Sequence, residues 1–323
     1  MMIETDGKRS LNHYTAYGVA LDSEVELPEL RTRLTSDRKE PDLHLRLCSV
    51  PALPNEDGRA FCYYDYDADG ALAFYSRPEG RFLYRGGREI HLEPAPEMAP
   101  TTLRLYILGA GLNIALFQRG LWVFHGSVVC IDGKAAAFLG HPHAGKTTIA
   151  AALHRRGHTL LSDDVLAIRM TEDGPLALPG FPRFKLWPDS AGALGVESET
   201  LPRIKEDTDK RSCAVARRFR EEPAPLTNVY ILNEGPELEM TRQVPKQAQL
   251  DLIPYWDLSK FGLAFLQGPR MGACFLQCGG LAKQASVSVL TRTTDLADLP
   301  RLAEMIEDDV AADPARYEYS GAV

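Results

Sequence analysis

The chain has 323 residues, 45% hydrophobic and 25% charged, which is long enough for two globular domains with full cores. Its net charge of −8 argues against nucleic acid as a partner. Six cysteines (48, 62, 130, 213, 274 and 278) lack paired zinc-ligand spacing and read as reduced, mostly buried thiols. The opening Met1-Met-Ile-Glu-Thr-Asp6 does not read as a signal peptide. The most apolar long segment, Leu103 to Phe117, carries Arg104 and Asn113 and is too short to span a bilayer. A cytoplasmic protein with no membrane partner is expected.

Residues 1–95 read as mostly strand. Tyr14 to Leu21, His44 to Cys48, Ala71 to Tyr75 and Arg81 to Tyr84 alternate or run apolar between turn clusters. Asp69-Gly70 and Gly86-Gly87 suit hairpin turns. This part offers no nucleophile or ligand cluster, and suits either recognition or a structural role. Pro94 to Pro100 breaks the chain, and residues 96–120 predict a connecting core helix. A larger domain follows over 121–312, with a tail at 313–323. It opens with the apolar run Leu121 to Ile131, an Asp132-Gly133 turn, and a second apolar run, Lys134-Ala-Ala-Ala-Phe-Leu139.

Next comes Gly140-His-Pro-His-Ala-Gly145-Lys146-Thr147, which fits the phosphate-binding pattern G-x-x-x-x-G-K-[ST]. A strand precedes it, and a helix candidate from Thr147 to Arg156, closed by Gly157, follows. In that context backbone N–H groups and the helix N-terminus face a polyphosphate. Gly140, His141, His143, Ala144, Gly145, Lys146, Thr147 and Thr148 are therefore candidate ATP-binding positions. Lys146 would reach the outer phosphates, and the Thr147 hydroxyl would ligate Mg²⁺.

Asp-Gly between two apolar runs predicts a two-residue type I′ hairpin, in which Ile131 opposes Lys134. Continued along the ladder, that register sets His125 opposite Gly140, beside the phosphate cradle. After the helix, His158 to Leu161 predicts a strand carrying Asp163 and Asp164 at its end, where ligands bind in open α/β sheets. One carboxylate suits Mg²⁺ and the other suits accepting a hydroxyl proton. A cation on the migrating group is sought in the polar stretch 205–220, at Lys210 and Arg211, with Arg183 and Lys185 as rivals. Strands are further expected at Asn228 to Leu232 and Gln284 to Leu290, and an amphipathic helix from Leu296 to Asp309 entered through Pro300.

The run from His125-Gly126 through the hairpin, the glycine loop, Arg155-Arg156-Gly157-His158 and Asp163-Asp164 resembles the catalytic domain of HPr kinase/phosphorylase. The resemblance is clear over about 121–168. It implies an α/β fold, a mixed sheet with flanking helices, behind a smaller, mostly β N-terminal domain. It also implies ATP and Mg²⁺ as cofactors and phosphorylation of a protein serine. Carried over by motif, His125 assists, Lys146 holds phosphates, Thr147 and Asp164 serve the metal, and Asp163 acts as base; which aspartate does which stays open. The loop departs from the family in its bulky His141, Pro142 and His143.

The whole layout is similar to the HPr-kinase-like lasso-peptide precursor kinases, on the Tyr14 to Leu21 opening, the Pro182 to Asp189 segment and Gly280-Leu281-Ala282. That implies a peptide or small protein as partner, with the C-terminal serine of a precursor peptide as acceptor. The family's frequent oligomers leave a homo-oligomer open. A small-molecule or free-serine kinase, or a nucleotide-binding module without transfer, would share the same core.

Overall fold

The computed structural model describes residues 10–33, 40–51, 61–64, 71–76, 80–256 and 269–312, with side chains from 61 to 79 and at 269 and 270 left aside. Among these residues the chain forms a mixed α/β architecture built on two large mixed sheets. The first sheet holds β1 (Asn12–Ala16), β2 (Val19–Ser23), β3 (Arg31–Thr32), β4 (Leu43–Leu47), β5 (Phe61–Tyr64), β6 (Ala71–Ser76), β7 (Gly80–Arg85) and β8 (Glu89–Pro94). Its order is β3-β1-β2-β4-β8-β7-β6-β5, with β4 parallel to both β2 and β8.

The single strand expected from Tyr14 to Leu21 is instead a hairpin. Ala16 pairs with Val19 across Tyr17 and Gly18, whose φ values of 54° and 69° are both left-handed. Tyrosine is a poor residue for that conformation. Its complete burial against the second half of the molecule offsets the cost. The turn at Gly86-Gly87 is present, with both glycines at positive φ between β7 and β8. Asp69-Gly70 lies outside the described residues.

The expected core helix is three pieces: α1 (Pro100–Tyr106), a π-helical segment over Ile107–Gly111, and α2 (Leu112–Gln118). Two glycines in that segment lower the cost of the wider turn.

The second sheet contains β9 (Trp122–Phe124), β10 (Gly126–Ile131), β11 (Lys134–Leu139), β12 (Thr159–Ser162), β13 (Leu166–Thr171), β14 (Gly174–Ala177) and β17 (Ala224–Glu234), with β18 (Glu239–Arg242) and β19 (Ser286–Arg292) joined beside β17. A separate ribbon pairs β15 (Arg183–Leu186) with β16 (Arg211–Ala214), so part of the expected polar loop at 205–220 is strand. The helices are α3 (Lys146–Arg156), α4 (Pro188–Ala193), α5 (Pro245–Leu252), α6 (Pro269–Gln284) and α7 (Leu299–Ala311).

The apolar runs of β10 and β11 are buried on both faces, as a central strand requires. Val128, Cys130, Ala135, Ala137 and Leu139 face a core shared with the first sheet and the α1–α2 segment. Val129, Ile131, Ala136 and Phe138 face a second core built with α3 and α7. Strands β11, β17 and β19 run parallel, so their C-terminal ends open on one crevice. No described helix is long and apolar enough to cross a membrane.

Candidate active site

The Asp132-Gly133 turn takes φ values of 45° and 85°, the two left-handed residues that a type I′ turn needs. The ladder then runs unbroken from Ile131–Lys134 to Gly126–Leu139. His125 follows directly, at the junction where the chain leaves β9 for β10. There its backbone N–H bonds the Tyr255 carbonyl at 3.0 Å. The glycine at 126 has a packing reason, because an added Cβ would lie 2.6 Å from the Leu139 side chain and 2.7 Å from the Phe138 carbonyl oxygen.

The loop 140–145 joins β11 to α3. Gly145 sits at the helix N-cap with φ 90° and no side-chain cap, so the first N–H groups of α3 are left for a ligand. Gly140 lies tight, since an added Cβ would meet that of Ala144 at 2.9 Å and that of Leu232 at 3.2 Å. His143 takes φ 68° and stacks on Trp187 at 5.2 Å, while His141 packs on Tyr255 at 5.5 Å. The two loop histidines are thus exposed rings held by aromatic neighbours, and Pro142 between them is exposed. Lys146 is buried and curls back, donating to the Gly140 carbonyl at 2.9 Å and the His141 carbonyl at 3.0 Å. Burial, against the attraction of Asp164, lowers its ammonium to about 8.

The two aspartates close β12, and their surroundings differ. Asp163 is 3% exposed. Its Oδ1 accepts from Ser127 Oγ at 2.6 Å and Thr147 Oγ1 at 2.9 Å, and its Oδ2 accepts from the Lys185 backbone N–H at 3.0 Å. Burial, with Asp164 nearby, raises its carboxyl above the usual carboxylate range despite these bonds. Asp164 has a left-handed φ of 79° and opens to the cavity with its side chain 29% exposed. Its Oδ2 accepts from Lys185 Nζ at 2.5 Å, and its Oδ1 lies 3.8 Å from His125 Nδ1. The His125 Nδ1–H donates to the Asp164 carbonyl at 2.8 Å, which makes Nε2 the acceptor of the neutral ring. Burial alone would lower Lys185, but the charge and hydrogen bond of Asp164 outweigh it and raise its ammonium.

His143, Gly145, Lys146, Thr147 and Asp164 line a cavity of about 720 Å³, whereas Gly140, His141, Ala144 and Asp163 do not. His125, Asp164 and Lys185 stand at one part, and Glu234 and Arg292, at the C-terminal ends of β17 and β19, stand at another. Lys210 lines it too, with Nζ 5.5 Å from the Trp187 ring centroid. Arg211 does not: its NH1 reaches the Leu201 carbonyl at 3.5 Å, away from the cavity wall. Thr148 lines the cavity and donates to Ser190 Oγ at 2.9 Å, tying α3 to α4.

Arg292 is the residue that sequence reasoning missed. Its Nε donates to the Ala144 carbonyl at 2.8 Å, and an NH2 donates to the His143 carbonyl at 3.3 Å and to Glu234 Oε1 at 3.1 Å. It braces the glycine loop from a strand 148 residues away in sequence, which local pattern cannot reveal.

Thr147 and Asp163 offer a hydroxyl and a carboxylate in contact, oxygen donors that suit a hard divalent cation. Among the described residues no group of three or more His, Cys, Asp or Glu could hold a metal. Thr147 and Asp163 alone would leave a small divalent ion such as magnesium in need of further oxygen ligands.

No protein-family model matches the chain, and no curated protein does. Among solved structures it is similar to the HPr(Ser) kinase/phosphatase from Coxiella burnetii, at 11% identity. The match covers 58% of this chain and 96% of that one, with a TM-score of 0.31. A likeness that low carries no weight for chemistry, which rests on the geometry above.

Proposed function

We propose that this protein is an ATP- and magnesium-dependent kinase of the HPr-kinase-like type. It transfers the γ-phosphate to a serine or threonine hydroxyl of a peptide or small protein. The C-terminal serine of a lasso-type precursor peptide, by the resemblance of layout, is the leading acceptor class. One observation carries the reading. A glycine loop on an uncapped helix N-terminus contacts a buried aspartate through Thr147, and a second aspartate faces the same cavity.

The loop N–H groups and Lys146 hold the β- and γ-phosphates. Thr147 and Asp163 hold the metal side, and magnesium when bound neutralises charge on the phosphate oxygens. The burial of Asp163 against Thr147 and the exposure of Asp164 support exchanging the roles expected from sequence. Asp164 takes the acceptor hydroxyl proton, the hydroxyl oxygen bonds to the γ-phosphorus, and the bond to the β-bridging oxygen breaks to release ADP. His125 orients Asp164 through its backbone carbonyl. Positioning and fixed charge supply most of the acceleration.

The test is transfer from ATP read by intact-mass spectrometry. The acceptors are a precursor peptide ending in serine, the same peptide ending in alanine, and free serine. Gain of one phosphate on the serine-ending peptide alone is expected. Lys146→Ala should lower the rate at least about a hundredfold, since it removes a fixed cation from the transferring group. Phosphorylated free serine would move the reading to a small-molecule kinase. Nucleotide binding without transfer to any of the three would exclude these acceptors and favour a nucleotide-binding module without transfer.

A further inference from the structure

A second cavity, of about 540 Å³, lies between α1 and the loop of residues 203–210. Leu105, Tyr106 and Ala110 form its apolar floor, and Lys205, Glu206 and Asp207 its rim. The same loop walls the catalytic cavity through Asp209 and Lys210. It is a pinned element. Ile204 N–H bonds the Lys210 carbonyl at 3.0 Å, and Arg203 bridges to Arg211.

Charge is sorted along this loop. Arg203 pairs with Asp209 at 3.0 Å and Lys205 with Asp207 at 2.9 Å. Lys210 remains on the catalytic side, over Trp187. Glu206 remains on the rim of the second cavity, with no cationic partner among the described residues. One side of the loop therefore favours an anion and the other a cation.

The floor has its own irregularity. The π-helical segment 107–111 begins directly after Tyr106, and such segments concentrate at functional sites. A Cβ added at Gly109 would meet nothing within 4 Å, so the surface there is open.

Resting on the kinase reading, we infer that this second cavity is the subsite for the acceptor polypeptide. It takes an apolar side chain on Leu105 and Tyr106 and a basic side chain toward Glu206. Asp207 and Lys210 are three residues apart, so their Cα atoms are separated by at most about 11 Å. An extended acceptor spans that distance in about three or four residues. The edges of the two cavities thus lie within reach of one extended segment, which sets the anchor side chains at fixed positions relative to the phosphorylated hydroxyl.

The experiment uses the full chain and a positional-scanning set of decapeptides with one fixed serine. Transfer and, without ATP, fluorescence-anisotropy binding are both measured. Expected is selection for an apolar and a Lys or Arg residue at fixed positions relative to the serine. Glu206→Lys should raise KM for the Lys-bearing peptide about tenfold or more while kcat holds, and a Glu-bearing peptide should recover the loss. Transfer with no selectivity at those positions, or Glu206→Lys without effect on peptide KM, overturns the subsite and leaves the kinase standing. Binding that keeps the charge-reversible selectivity while no peptide is phosphorylated supports the subsite and sinks the kinase instead.

Discussion

Asp163 and Asp164 are adjacent in the chain, yet one is enclosed by Ser127, Thr147 and a backbone N–H while the other meets Lys185 at the cavity. Asp164→Asn should lower turnover about 10²- to 10⁴-fold, the usual worth of a general base, with ATP binding retained. Asp163→Asn should instead weaken nucleotide binding in magnesium more than without it, by titration calorimetry. A near wild-type rate for Asp164→Asn would return the base to Asp163. The pair itself was legible from sequence, because a strand ending in two carboxylates follows a glycine-loop helix. Their division of roles was not, since it turns on the left-handed φ of Asp164, which no glycine marks. The approach of His125 was legible in part, because Asp-Gly fixes a turn and the turn fixes the later pairs as far as Gly126–Leu139, where the ladder ends one residue short of the expected His125–Gly140 pair. Of the four cations considered, the fold brings Lys185 and Lys210 to the cavity. Lys185 lies on β15 and Lys210 directly precedes β16, so their approach depends on a ribbon pairing that local pattern does not reveal.

At the scale of elements, the C-terminus of α3 is fastened to α7 by Glu307. Arg156 donates twice to its carboxylate, both at 2.8 Å, and His158 Nε2 lies 2.7 Å from Oε1. The Arg156 hydrogen bonds, opposed by burial and aided by His158, hold the Glu307 carboxyl down to about 2. A depressed carboxyl stabilises the fold above its ordinary value and loses that contribution as pH falls toward the folded value. Glu307→Gln should therefore cost about 1–3 kcal/mol at neutral pH, as for hydrogen bonds to charged groups. In denaturant melts the gap from wild type should close as pH falls from about 4.5, an ordinary glutamate value, toward 2. A gap independent of pH would mean that packing, not charge, joins the helices. The β1–β2 hairpin is the element least legible from sequence. Tyr17-Gly18 lacks the Asn or Asp that usually opens such a turn, and its energetic support comes from far away. The Tyr17 N–H bonds the Pro179 carbonyl at 2.6 Å, and its ring meets Phe181 edge-on at 6.4 Å. Gly180 is the matching socket, since an added Cβ would stand 2.4 Å from Ser162 Oγ and 3.0 Å from the Tyr17 hydroxyl oxygen. Gly180→Ala should cost about 1–3 kcal/mol by overpacking, and it should slow transfer because Ser162 adjoins Asp163. Lost stability with unchanged kcat would confine the socket to folding.

For the whole molecule, the decisive fact is that one core takes side chains from both large sheets. Leu21, Leu43 and Ile90 of the first sheet belong to the same cluster as Val123, Ala167 and Trp256 of the second half. A boundary near residue 95, natural in composition, therefore does not fall between separate cores. Exposing a large apolar side chain costs about 1.5–3 kcal/mol, against a total stability of about 5–15 kcal/mol for an ordinary domain. Opening this cluster along the line between the sheets exposes several at once, a loss that the second core within the C-terminal half would have to offset. Calorimetry of the full chain should give a single cooperative transition, and residues 96–312 expressed alone should melt without one. The same coupling reaches the glycine loop, because Leu139 at its entry lies in the shared core. A nucleotide that binds only the native state stabilises whatever unfolds together with its site. Saturating nucleotide should therefore slow amide exchange in β1 and β2 as strongly as in β10 and β11, though β1 and β2 contribute no residue to the catalytic cavity. Protection confined to 121–312, or two resolved transitions, would show that the cluster divides and that the N-terminal sheet is an attached module.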